Sequence, residues 1–250
     1  MNLKRITYAE DPAIKETIFD DVKVHVWPEF MFHDGVAGQL WDILENDFAE
    51  YQFVLKDGDH GDAIVALGHM LPFRWEQPLA ALPDGGWDAI FEKAVDDLKA
   101  GREPNMATAI EASILPQHQG KGLSKVVIST MRDIAKARGF KTLVAPVRPS
   151  QKSKYPLTPM DRYVQWTNDK GEPFDAWLRM HWRMGARIVK VAPRSMEIQN
   201  TVSKWEAWTT MKFPDGGNYI VPGALVPVQI DRERDCGEYI EPNVWMAHEL

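Results

Sequence analysis

The sequence contains one cysteine, Cys236, in 250 residues, so neither an internal disulfide nor a cysteine-rich zinc site can form. A chain of this length buries roughly 70–75% of its unfolded surface and needs neither device to fold. A lone thiol also fits a reducing compartment. No apolar run approaches the roughly 20 residues that span a bilayer. The opening MNLKRITYAEDPAIKE lacks the apolar core of a signal peptide, so the expectation is a cytoplasmic protein with no membrane partner. Basic excess is missing too: 29 Lys and Arg against 36 Asp and Glu leave a net charge of −7. A general nucleic-acid binder needs a basic face that releases phosphate counterions, so no nucleic-acid partner is expected. No repeat or low-complexity tract suggests a solenoid or linker. His25, His33 and His60 lack metal-ligand spacing, which leaves them surface or packing roles and predicts no metal. Tryptophan, by contrast, is plentiful at ten residues, either as core or as the walls of a site.

Periodicity places helices at 12–19, 36–48 and 87–98 and strands at 4–8, 51–56 and 63–71. The middle is clearest. Residues 107–115 (ATAIEASIL) read as a strand ending at Pro116. A glycine-containing turn follows, then an amphipathic helix over 123–138 and a strand over 142–147. That order is a βαβ unit. Further on, the pattern predicts a helix at 175–184, a strand at 187–191, a short helix at 201–209 and a last strand at 224–230. No break is sharp enough to claim a second domain.

Gln117-His118-Gln119-Gly120-Lys121-Gly122-Leu123-Ser124 joins strand to helix. Successive amides there, with the positive end of the helix, suit a phosphate, and glycines let the backbone approach it. A Walker loop is excluded, because Leu115 stands where glycine is required and Lys121 precedes glycine. The dinucleotide fingerprint fails at Lys125. Two glycines alone are equally compatible with a plain tight turn. However, Gln117-x-x-Gly120-x-Gly122, after Ile114-Leu115-Pro116 and before an apolar helix, resembles the acyl-CoA signature of the GNAT superfamily of N-acetyltransferases. His181-Trp182-Arg183-Met184-Gly185-Ala186 before the strand RIVKV resembles the end of that family's next helix. Together the matches span roughly residues 106–191.

The resemblance implies an α/β (α+β) fold: a mixed, mostly antiparallel central sheet with one splayed parallel strand pair and helices on both faces. It implies a single domain over 1–250, with insertions at about 72–105, 148–174 and 192–223. Acetyl-CoA, or another acyl-CoA, would be the co-substrate. Its pyrophosphate would lie over the amides of Gln119, Gly120, Lys121, Gly122, Leu123 and Ser124. The backbone of Ser113, Ile114 and Leu115 would meet the pantetheine arm and thioester. The expected chemistry is direct attack by a primary amine of a small molecule, which requires a route for the amine's proton and a proton for the leaving thiolate.

The family's proton donor is a tyrosine at the position His181 occupies here. A charged histidine can fill that role, or His181 is a packing residue between Trp177 and Trp182. Tyr155 and Tyr163 are alternative donors. Glu111, the notable polar residue of its strand, is a base for the amine if it faces the cleft, although alternation equally allows it to face solvent. In the long connections, Arg148, Lys152 and Lys154 suit an acidic group or the CoA phosphates. Asp161, Tyr163 and Trp166, with Trp177, suit a cationic amine. Five tryptophans (166, 177, 182, 205 and 208) fall where the family builds its acceptor pocket, whereas Trp41 and Trp87 read as core. The same loops are compatible with a packed lid or a homodimer. A CoA-binding sensor without catalysis, motivated by the missing tyrosine, is the alternative function.

Overall fold

The computed structural model describes residues 2–18 and 26–250; His25 lies outside them. The elements in chain order are β1 (Leu3–Thr7), α1 (Ile14–Ile18), α2 (Gly35–Asn46), β2 (Phe53–Asp57), β3 (Ala63–Phe73), α3 (Gly86–Lys99), β4 (Met106–Ile114) and α4 (Leu123–Ala137). They continue with β5 (Thr142–Val147), α5 (Met160–Tyr163), α6 (Ala176–Arg183), β6 (Arg187–Asn200), α7 (Val202–Thr209), β7 (Gly217–Tyr219), β8 (Val228–Asp231) and β9 (Cys236–Glu249). The strands form one nine-stranded sheet in the order β1-β2-β3-β4-β5-β9-β8-β7, with β6 on the other edge of β9. Its only parallel pair among the described residues is β4–β5. This is the mixed, mostly antiparallel sheet, with one parallel pair, that the family resemblance implies.

The core follows from the patterning. In α4, Leu123, Val127, Ile128, Met131, Ile134 and Ala135 are buried, and the helix packs on β3, β4 and β5. In α3, Trp87, Ile90, Phe91, Ala94 and Val95 are buried against β3, β6 and β9. Among the described residues no helix is long and apolar enough to cross a membrane.

Two features of β4 shape the site. The first is its short partnership with β5, which pairs only Ala107 with Leu143 and Thr108 with Val144. Beyond that point the strands part, and Pro146 on β5 has no N–H to offer a neighbour. The second is a bulge. His69 pairs with Glu111 and Met70 with Ala109, leaving Ile110 as the extra residue; such a bulge bends the strand and re-aims its side chains. The Ile110 carbonyl accepts from Trp87 Nε1 at 2.8 Å.

The C-terminal third departs from expectation. The strand expected at 224–230 is neither there in full nor last: β8 covers Val228–Asp231, and residues 236–249 form β9, which pairs with β5, β6 and β8. Polar residues hid β9, because Glu241, Asn243 and His248 are buried in it. The strand expected at 187–191 runs on to Asn200, broken by a register shift between Ala192 and Met196 that contains Pro193. The first part of the expected insertion at 192–223, up to Asn200, is therefore sheet. The connection at 148–174 is fastened by Asp175, which is buried. Its carboxylate caps α6, accepting from the Trp177 and Leu178 amides. It also accepts from the amides of Ser150 and Gln151 and from the Tyr163 hydroxyl.

Trp87→Phe keeps the ring but leaves the buried Ile110 carbonyl without its donor. The variant is expected to lose about 1–3 kcal/mol of unfolding free energy in urea titration; an unchanged midpoint would show that the bulge does not depend on the indole.

Candidate active site

The gap between β4 and β5 opens into a cavity of about 590 Å³, lined on one side by Ala109 to Ala112 and Ile114 and on the other by Ala145 to Arg148. At one end is the turn before α4. Gly120 and Gly122 adopt φ of +74° and +80°, and a Cβ on either would meet nothing within 4 Å. Gly122 caps the helix without a side-chain acceptor. The amides of Gly120, Lys121, Gly122, Leu123 and Ser124 have no hydrogen-bond partner among the described residues. A row of unpaired amides at the start of a 15-residue helix suits a phosphate, so the turn fits the pyrophosphate of an acyl-CoA.

The individual residues of that motif divide. His118, Gln119, Gly120, Leu123 and Ser124 line the cavity; Gln117 is exposed and does not. Lys121 is exposed, with Nζ 3.5 Å from His118 Nδ1. The Leu115 amide donates to Val65 on β3 at 3.2 Å, so it points away from the gap. Ser113 pairs with Leu67 in the same register and faces β3 as well. Alternation along the strand leaves Ile114 and Ala112 to present their backbone groups to the open edge. Of the three residues expected to meet the pantetheine arm, only Ile114 has its backbone so directed.

Glu111 lines the cavity. Its Oε1 accepts from Trp27 Nε1 at 3.0 Å and from the Ser113 hydroxyl at 2.6 Å. Oε2 lies 2.8 Å from Nδ1 of His69, which is fully buried. His69 Nε2 is in turn 2.8 Å from the Tyr8 hydroxyl. Of the two orientations alternation allows, the structure takes the inward one.

His181 also lines the cavity, but as a neutral ring. Its Nδ1 lies 2.9 Å from His248 Nε2, and Trp177 packs against it edge-on at 4.7 Å. Burial, then the neighbouring His248, lowers its pKa to about 3. An imidazolium donor at this position does not suit neutral pH. The alternative donors lie elsewhere. Tyr163 is buried on Asp175, Tyr155 packs on Tyr163, Trp166 and Phe174, and neither tyrosine lines the cavity.

The far end is polar. Arg148 Nε donates to both oxygens of Glu241 at 2.9 Å, and its Nη2 donates to the Gly223 carbonyl. The Tyr239 hydroxyl and Asn243 Nδ2 complete the shell of Glu241. The Arg148 guanidinium lies 5.8 Å from the Trp27 ring centre. Lys152 is buried, donating to the Tyr155 and Leu225 carbonyls, and burial lowers its pKa to about 8. Lys154 is exposed.

The aromatic walls are Trp27, Phe32, Trp41, Trp87 and Trp177. Of the five tryptophans expected there, only Trp177 contributes. Trp166 belongs to the cluster with Tyr163 and Phe174, Trp182 is exposed and Trp205 is fully buried. Trp208 stacks on His33 at 4.0 Å. Asp161 is exposed and, like Tyr163 and Trp166, lies outside the lining. His60 is held on the surface by Asp57 at 2.8 Å. Sequence reasoning missed Tyr8, Trp27 and His69. For His69 one signal existed, a lone imidazole inside the apolar run AIVALGHMLPF.

No family model matches the chain. It is 34% identical to the arginine N-acetyltransferase avaD of Aspergillus versicolor over 271 residues, covering 98% of this chain and 93% of that protein. Among solved structures, it resembles the loading GNATL domain of CurA from Lyngbya majuscula, with a TM-score of 0.63 at 16% identity over 99% and 96% of the two chains. It also resembles the GphF GNAT-like decarboxylase in complex with isobutyryl-CoA, with a TM-score of 0.58 at 16% identity over 100% and 99%. These structural likenesses establish the fold, and the full-length relative establishes the family. The chain belongs to the GNAT superfamily of N-acetyltransferases, enzymes that move an acyl group from CoA to an amine.

Proposed function

We propose that the chain acetylates an amine of a small arginine-like molecule with acetyl-CoA, and that Glu111 accepts the amine's proton. The observation that carries this reading is the placement of the Glu111 carboxylate: it lines the cavity where β4 has left β5, held by Trp27, Ser113 and His69. The acceptor is drawn from the arginine N-acetyltransferase relative. Physical support comes from the four indole walls, whose faces attract a cation, and from a carboxylate among them. We assign acceptor contact to Trp27, Trp41, Trp87 and Trp177 rather than to Asp161, Tyr163 and Trp166. One cysteine, and so no internal disulfide, favours the cytoplasm as the site of the reaction.

In this reading the amides of Gly120 to Ser124 and the α4 N-terminus hold the pyrophosphate, and the open edge at Ala112 and Ile114 meets the pantetheine arm. The amine attacks the thioester carbonyl, the carbon–sulfur bond breaks, and the amide forms. The proton taken by Glu111 balances the thiolate that leaves, so no separate acid is required and His181 serves as a neutral wall.

Glu111→Gln keeps the shape and removes the base. Thiol release from acetyl-CoA with arginine-like amines is expected to fall about 10²–10⁴-fold in kcat, while acetyl-CoA affinity holds; wild-type turnover would remove Glu111 from the mechanism. Gly120→Val adds a branched side chain where the free protein has open space, at a φ of +74° that strains a β-branched residue, so the comparison is made on variant protein whose circular dichroism matches wild type. Calorimetry should therefore show acetyl-CoA affinity about tenfold weaker or more, equivalent to about 1.4 kcal/mol. Unchanged affinity would place the phosphates elsewhere.

A further inference from the structure

Behind Glu111 lie two side chains that the mechanism above leaves unused. His69 stands directly opposite it on β3, and Tyr8 follows β1 and reaches His69 from the far side. We propose that His69 and Tyr8 are positioning residues that lock the orientation and the charge state of Glu111; the inference rests on Glu111 acting as the base.

The hydrogen pattern follows from what each group can give. The Glu111 carboxylate accepts at Oε1 from Trp27 and Ser113 and has no proton to offer at Oε2. His69 Nδ1, 2.8 Å away, must carry the hydrogen. In the neutral ring Nε2 is then an acceptor, and the Tyr8 hydroxyl at 2.8 Å is its donor. Tyr8 is well suited to that duty: burial, then the charges of Glu111 and Glu45, raise its pKa, so the phenol keeps its proton. The ring is also held sterically, with Tyr8 edge-on at 5.5 Å and Trp41 edge-on at 5.2 Å. Among the described residues, the titratable or polar groups facing this chain are Tyr8 from the end of β1, Glu45 and Trp41 from α2, Glu111 and Ser113 from β4, and Trp27 from the segment before α2.

Each link has a consequence for Glu111. A hydrogen bond donated to the carboxylate favours its charged form, so His69 keeps the base unprotonated. Without the phenol the Nε2 lone pair loses a donor, so the tautomer with the hydrogen on Nε2 gains population against the one the carboxylate favours. Nδ1 would then be an acceptor and could bond Glu111 only in its acid form. The residue would carry the proton it has to be free to take. Tyr8 therefore acts as a tautomer lock, two residues removed from the substrate, and His69 as the donor it locks.

The test is the pH dependence of kcat/KM, read by thiol release from acetyl-CoA with an arginine-like amine, for wild type, Tyr8→Phe, His69→Leu and His69→Gln. In Tyr8→Phe and His69→Leu the ascending limb should move up by on the order of one pH unit. Their kcat near neutral pH should fall about tenfold or more, with acetyl-CoA affinity within about twofold of wild type. His69→Gln, whose amide N–H can donate to Oε2, should recover part of the loss, which a purely structural role would not produce. Limbs that stay in place in Tyr8→Phe and His69→Leu, while both bind acetyl-CoA, would overturn the proposal. If the variants fail to fold, nitrogen NMR of the wild-type imidazole decides: Nδ1 protonated and Nε2 bare near neutral pH supports the lock, and the opposite tautomer or an imidazolium refutes it. Full activity in Glu111→Gln would instead bring down the base reading on which the proposal stands. Loss in Glu111→Gln with unshifted limbs in the other variants would bring down this inference alone.

Discussion

Everything in the candidate site depends on β4 and β5 parting after two paired residues, Ala107 with Leu143 and Thr108 with Val144. A fully paired parallel ladder would close the sheet and leave no room between the strands. The separation has local causes and local supports. Pro146 offers no amide across the gap, and the Ile110 bulge turns β4 while Trp87 satisfies the carbonyl that the bulge frees. On the other side β9 pairs with all of β5, from Thr142 to Val147, so β5 stays in the sheet when β4 leaves it. The cavity is thus a feature of sheet pairing rather than of the loops above it.

Its two ends differ in how they handle charge. At the α4 end the protein presents backbone amides and a helix N-terminus, which suit an anion without any basic side chain. At the other end charges are paired in the fold: Arg148 Nε donates to both oxygens of Glu241, itself completely buried and bonded to Tyr239 and Asn243. Such a pair is costly to break from one side, which makes that end a rigid wall. Glu111 lies between them with donors on both oxygens. The neutral His181–His248 pair adds no charge, since burial depresses both rings, to about 3 and about 4.

How much of this was legible in the sequence follows from what kinds of signal reach that far. The βαβ unit and the glycine turn were readable because local periodicity and two left-handed glycines dictate them, and α4 and β5 form close to where the pattern placed them. β9 was not, because buried Glu241, Asn243 and His248 break the apolar alternation that marks a strand, and their satisfaction comes from residues far away in the chain. The same limit governed the site. Glu111 could be singled out as a polar residue in an apolar strand, but its face was undecided until β3 supplied His69 opposite. The cavity's indoles come from four separate segments, and proximity along the chain to the CoA turn was a poor guide to them: Trp27, Trp41 and Trp87 reach it, while Trp166 packs into its own aromatic cluster.

The central claim is that acyl transfer takes place in the gap between β4 and β5, beside Glu111. A crystal structure of the protein with a thioether analogue of acetyl-CoA tests it most directly. Pyrophosphate oxygens are expected on the amides of Gly120 to Ser124, and the acyl group between Ile110–Ile114 and Ala145–Val147, facing Glu111. An acyl group seated outside that gap, or phosphates bound away from the α4 N-terminus, would contradict it.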